Sequence, residues 1–171
     1  MSRDILFKED TFVFSSRVSG VLVHDGKVLV QCPPGTTEHA FIGGHVMVGE
    51  TQAEALVREF MEELHAPVTP VKLLAVGEVF IPWGKRPAHQ IGLYYKVQLD
   101  DLTAIPLTGS FRGYDELGGE RIDLEFKWIP LEDLPGLEIY PPDVVPFILQ
   151  EPEGAAHFVY REIGRDAFKE V

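Results

Sequence analysis

Only one cysteine, Cys32, occurs in the 171 residues, so no internal disulfide is available. Nothing beside it in sequence would activate the thiol, and a buried, reduced side chain is expected. Long apolar runs are missing: no stretch approaches the ~20 consecutive residues that a membrane-spanning helix needs. The opening residues, MSRDILFKED, mix both charges and lack the apolar segment of a signal peptide. No membrane partner is expected, and cytoplasmic residence follows by default. Cations are scarce, with 15 Lys and Arg against 27 Asp and Glu and a formal net charge of −12. A surface of that sign repels phosphate backbones, which makes long nucleic acid a poor partner. It still admits a small phosphorylated substrate, provided a divalent cation stands between carboxylates and phosphates. Internal repeats, low-complexity tracts and long linkers are absent as well. The length suits one domain over 1–171 with one well-formed core, and residues 141–171 form a motif-free stretch that either caps it or mediates a homodimer.

What is present is a mixture of short strands and few helices. Arg17–His24 and Lys27–Cys32 read as strands joined at Asp25-Gly26, a strong hairpin signal. Pro33–Thr37 is a loop by composition, and His39–Ile42 is a short extended piece leading to Gly43-Gly44. The period then changes. Ala53, Leu56, Phe60 and Leu64 recur at spacings of three and four, which predicts an amphipathic helix over 51–65. Thr51 with Glu54 fits a capping box at its start, and Pro67 stops it. Val71–Pro82 and His89–Leu99 read as longer strands around a loop that carries Lys85 and Arg86. Residues 101–120 read mostly as loop, Asp123–Ile129 as a strand, Pro142–Gln150 as a short helix and His157–Ile163 as a last strand. The fold class is α+β.

Chemistry concentrates between Gly44 and Glu63. On the predicted helix Glu59, Glu62 and Glu63 stand at i, i+3 and i+4, so their carboxylates share a face. Like charges at that spacing destabilise a helix unless something positive lies between them. A hard divalent cation, Mg²⁺ or Mn²⁺, is the natural partner for clustered oxygen ligands. Arg58 sits beside the cluster, where its planar fork can pair with Glu50 or Glu62 and hold a carboxylate in place.

The run G-HVMVG-E-TQAEALV-RE-FM-EE-L-H-A resembles the Nudix box, matching in register at Gly44, Glu50, Arg58, Glu59, Glu62 and Glu63. The resemblance implies a mixed sheet between helices, an α/β/α sandwich with the box as a loop–helix–loop. It implies a Mg²⁺- or Mn²⁺-dependent hydrolase of a nucleoside diphosphate linked to another group. Glu59, Glu62 and Glu63 would be metal ligands with a backbone carbonyl of Gly43 or Gly44, and Glu50 and Arg58 would orient them. A metal-activated water would attack phosphorus while a carboxylate takes its proton. That carboxylate is Glu62 or Glu63 within the box, or Glu116, Glu120 or Glu125 beyond it; Glu125 precedes Phe126-Lys-Trp-Ile-Pro130 at a point where related chains often place one. The chain departs from the box at Phe60, at Ala66 and at His65, which replaces the usual Gly. The missing Gly predicts a different helix exit, since His is strained in the left-handed conformation. Met47 stands where many members carry another Glu.

Several residues outside the box are weaker candidates. His45 follows Gly44 and is placed to touch a phosphate. Arg17, Lys85 and Arg86 are cations in an acidic chain and candidate phosphate binders. His89 and Gln90 begin a strand that can face the cleft, and Phe80, Trp83 and Tyr94 offer stacking faces, although aromatics on strands are more often core. Pro82 lies sixteen residues past the box, as in ADP-ribose-cleaving relatives. The competing readings are an ADP-ribose or dinucleotide enzyme, a diphosphate isomerase with Cys32 as its reactive group, and a nucleotide-binding regulator without catalysis.

Overall fold

The computed structural model describes residues 3–117 and 120–169, with the side chains of 116–120 outside the description. Strands β1 (Leu6–Lys8), β2 (Val13–His24), β3 (Lys27–Cys32) and β4 (Ile42–His45) come first, followed by helix α1 (Gln52–Leu64). Strands β5 (Val68–Trp83), β6 (Arg86–Leu99), β7 (Ser110–Leu117) and β8 (Glu120–Pro130) precede the short helix α2 (Val145–Gln150) and the last strand, β9 (Ala156–Arg161). The strands form one mixed sheet in the order β7-β8-β3-β2-β6-β5-β9, with β1 and β4 added along β2. β2 is the centre. It runs parallel to β6 from Val13 to Leu22, antiparallel to β4 over Arg17–Gly20, and antiparallel to β3 only at its end.

Alternation along β2 sends side chains to two cores. Val18 and Leu22 join Leu56 and Phe60 of α1 on one face. Val21 joins Leu74, Val79, Val145, Ile148 and Phe158 on the other, beneath α2 and β9. The sheet is therefore covered by a long helix on one side and by short helical turns on the other. Glycine permits the tight packing of α1: a Cβ on Gly20 would lie 2.4 Å from the Phe60 ring. On the opposite face, residues 141–161 cover the second core and add an edge strand to the sheet.

Local signals give the expected elements where they are local. Asp25 and Gly26 both take positive φ, as a two-residue hairpin turn demands. Thr51 Oγ1 accepts from Glu54 N at 3.2 Å while Glu54 Oε2 accepts from Thr51 N at 2.8 Å, completing the capping box. Other expectations are corrected. The strand expected from Arg17 begins at Val13, and Gly43-Gly44 lies inside β4. Arg86 belongs to β6, because only Gly84 and Lys85 separate the paired Trp83 and Arg86. Ser110–Leu117, expected as loop, is strand β7, its inward positions holding Phe111, Gly113 and Asp115 rather than an apolar series. The helix exit is also corrected. His65 itself adopts the left-handed conformation (φ 52°), and Ala66 N donates to Phe60 O at 3.3 Å, so α1 ends before Pro67 is reached.

Candidate active site

Beside β4, the carboxylate face of α1 is organised by Arg58. Its Nε and Nη2 form a fork on Glu50 at 2.9 and 3.0 Å, Nη1 donates to Glu59 at 2.7 Å and to Glu62 at 3.0 Å, and Nη2 also reaches the His45 carbonyl at 3.0 Å. The sequence left the choice of Glu50 or Glu62 open; the guanidinium takes both. The Arg58 hydrogen bond, aided by the Met47 amide, holds the Glu50 carboxyl below the usual carboxylate range. Glu59 is raised, because burial outweighs its bond to Arg58. Its carboxylate lies against the β4 backbone, in space that only glycine leaves: a Cβ on Gly44 would stand 2.3 Å from Glu59 Oε1.

Glu63 is the most constrained of the set. It is 5% exposed, and its Oε2 is buried without a hydrogen-bond partner. Burial first, then the negative charges of Glu59 and Asp115, push its carboxyl well above the ordinary range. Among the described residues no three acidic or histidine side chains already form a metal cage. The donor set nevertheless fits a hard dication. It offers an orphaned buried carboxylate oxygen, three carboxylates on one helical face and a glycine cradle, with an excess of negative charge that a cation would relieve.

A cleft of about 350 Å³ opens over this face, with Arg17, Gly44, His45, Arg58, Glu59 and Glu62 in its lining. Arg17 donates to the Gly43 carbonyl at 3.4 Å. His45 is held down to about 4, first by burial and then by Arg17, so it is neutral at physiological pH. Its ring lies 6.2 Å from that of Trp83, which also lines the cleft. Two carboxylates that the sequence reading did not single out, Asp4 and Asp115, complete the lining. Asp115 is half-buried on β7, on the face that Phe111 and Gly113 turn toward α1. Recognising β7 as a strand was the only signal that would have found it.

Other candidates lie elsewhere. Lys85 and Arg86 are outside the cleft lining, and Arg86 donates to the Glu9 carbonyl at 2.8 Å. Glu125 alternates with Leu124, Phe126 and Trp128, which pack beneath α1, so it occupies the opposite face and pairs with Lys127 at 3.2 Å. The side chains of Glu116 and Glu120 fall outside the described residues. Cys32 is buried, with its thiol 3.8 Å from the Glu125 carbonyl, away from the box.

Comparison with known proteins bears on the family and the fold. The model of the NUDIX domain matches residues 15–148. No curated protein matches the chain in sequence. Among solved structures, a NUDIX hydrolase from Nitrosomonas europaea superposes with a TM-score of 0.58 at 18% identity, covering 86% of this chain and 78% of that one. A MutT NUDIX hydrolase from Burkholderia pseudomallei gives 0.55 at 20% identity, covering 77% and 95%. An ADP-ribose pyrophosphatase from Streptococcus suis gives 0.53 at 16% identity, covering 84% and 98%. These likenesses concern the fold, and the family match spans most of the chain with the helix carboxylates inside it. The chain belongs to the Nudix family of hydrolases acting on pyrophosphate bonds.

Proposed function

We infer that the protein is a Mg²⁺- or Mn²⁺-dependent pyrophosphohydrolase that cleaves the diphosphate linkage of a small nucleotide. The observation that carries this reading is Glu63: a buried carboxylate with an unpartnered oxygen, set among Glu59, Glu62 and Asp115. Glu59, Glu62 and Glu63, with the Gly44 backbone, would hold the metal. When bound, the metal lowers the pKa of the attacking water and offsets charge on the leaving phosphate. Glu50 and Arg58 fix the carboxylates in position. Arg17 reaches the cleft as the cation that meets phosphate oxygens, with neutral His45 beside it. Asp115 takes the water's proton, since it is a half-buried carboxylate that lines the cleft from outside the helix. The likeness to an ADP-ribose pyrophosphatase extends only to the fold, and ADP-ribose belongs in the substrate panel.

The test is phosphate or nucleotide release from nucleoside di- and triphosphates and ADP-ribose, with Mg²⁺, Mn²⁺ or chelator. Activity is expected only with metal. Glu63→Gln should lower kcat by roughly 100-fold or more, and Asp115→Asn should lower kcat by a similar factor with little change in KM. Full activity of Glu63→Gln, or no release from any substrate in the panel, would sink the reading.

A further inference from the structure

Five strands set one row of side chains next to each other. Phe7 of β1 lies opposite Phe14 of β2, Phe14 opposite His89 of β6, His89 opposite Phe80 of β5, and Phe80 opposite Arg161 of β9. Contacts tighten toward the β9 edge. Ring centroids are 5.7 Å apart for Phe14 and His89 and 4.4 Å for His89 and Phe80, and the Arg161 guanidinium stands 3.8 Å over the Phe80 ring. Phe14 shares its face of β2 with Ser16 and Val18. Helix α1 starts at Ser16, where Gln52 Nε2 donates to the hydroxyl at 3.0 Å, and runs toward Gly20, away from this row.

At the β9 end of the row a cavity of about 540 Å³ opens between Phe80, His89, Arg161, Arg165 and Phe168. Its far wall is tied to the sheet. Glu162 N and Ile163 N both donate to Phe80 O, at 2.9 and 3.3 Å, and the turn Arg165–Phe168 brings the Phe168 ring back to Phe80, edge-on at 5.9 Å. No carboxylate lines this cavity, in a chain with 27 acidic residues against 15 basic ones. Glu78 pairs with His157 at 3.4 Å, Asp166 pairs with Lys169 at 2.6 Å, and Glu162 lines the cleft on the other face of the sheet. Among the described residues neither Arg161 nor Arg165 has a carboxylate partner. His89 Nε2 is buried with no hydrogen-bond partner either.

Stacking decides which chemistry the cavity can take. β6 and β9 flank β5, so His89 and Arg161 occupy the two faces of the Phe80 ring. No face of that ring is left for a base. What remains is guanidinium N–H groups and ring edges, and both carry positive charge. The stack already fixes the plane of Arg161, so little freedom is lost when its N–H groups are used. Two unpaired guanidiniums match a dianion better than a single carboxylate, and a phosphate group brings about −1.5 to −2 charge with three acceptor oxygens.

We propose that the cavity formed by His89, Arg161, Arg165 and Phe168 at the β9 edge is a second binding site, for a phosphate group. It shares no lining residue with the carboxylate cleft, so it stands or falls independently of the hydrolase reading.

The test is an amide NMR titration of the isotope-labelled full chain in chelator. Inorganic phosphate, phenyl phosphate and acetate are each added, with sodium chloride at matched ionic strength as the control for screening. Saturable shifts over residues 161–168 are expected with both phosphates and not with chloride. Arg161→Gln and Arg165→Gln, both exposed in the parent, are each expected to weaken binding at least about 10-fold, as loss of a charge-assisted hydrogen bond does. Tighter binding of phenyl phosphate would support the site as one for a phosphate monoester with an apolar body, and equal binding would support it as one for the free ion. Shifts that chloride reproduces, shifts confined to the carboxylate cleft, acetate binding as tightly as phosphate, or binding unaltered in both variants overturns the proposal.

Discussion

Arg58 holds three carboxylates and one carbonyl with a single guanidinium, so its loss should be felt in stability as well as in the proposed chemistry. Its side chain is 20% exposed, with Glu50 at 16% and Glu59 at 9%. Removing one partner of a buried ion pair costs about 3–5 kcal/mol, because the remaining charge is stranded. Solvent reaches part of this cluster and Glu62 is half exposed, so Arg58→Met is expected to lose about 2–3 kcal/mol in urea unfolding of the metal-free protein. Arg58→Lys should recover little, since an ammonium cannot fork across both Glu50 oxygens. A lysine variant as stable as the parent would refute the forked arrangement. Glu50 and Arg58 were legible from the sequence because the box fixes their distance along one helix and its entry loop. Asp115 was not, because its approach to Glu63 depends on β7 folding back against α1 from fifty residues downstream.

Helix α1 shows how an element is set by its two ends. At the start, the reciprocal bonds of Thr51 and Glu54 satisfy donors that the first turn leaves open. Thr51→Ala is expected to cost about 1 kcal/mol at neutral pH. The Thr51 backbone N–H, then its hydroxyl, hold the Glu54 carboxyl below its ordinary value. A depressed folded-state pKa stabilises fully above the unfolded-state value and less as pH falls through the folded-state one. The gap between parent and Thr51→Ala should therefore narrow in acid, which paired thermal melts from pH 7 to pH 3 would show. At the other end, His65 sits at φ 52°, where a side chain is strained and glycine is not. His65→Gly is expected to raise stability by about 0.5–1 kcal/mol, the relief of strain exceeding the extra freedom of the unfolded chain. A lower melting temperature for His65→Gly would show that the His side chain makes up for its strain. The capping box was readable because both its bonds are local. The exit was misjudged because a left-handed histidine is tolerated only when the surrounding packing fixes it, as the Ala66–Phe60 closure does here.

Across the whole molecule, what was hard to read is what pairs at long range. The hairpin at Asp25-Gly26 and the box helix announce themselves within a few residues, whereas β2 joins β6 in parallel across about seventy-five residues and β9 reaches β5 across about eighty. Residues 141–171 carry no motif, yet part of that stretch adds the last strand and covers the core on the sheet face opposite α1. Its attachment depends on one glycine. Gly77 pairs with Phe158 across the β5–β9 ladder, and a Cβ there would stand 2.4 Å from Phe158 Cζ. Phe158 is 7% exposed and packed against Tyr94 and Phe147, so the ring has little room to yield. Overpacking of this kind costs about 1–3 kcal/mol. Gly77→Ala should concentrate that cost at the edge, with faster amide exchange over Ala156–Arg161 than over the central strand β2. The Arg58 cluster, on the far side of the sheet, should keep its geometry. Uniform loss of protection through β2 and β9 together would show instead that the edge strand unfolds only with the rest of the sheet.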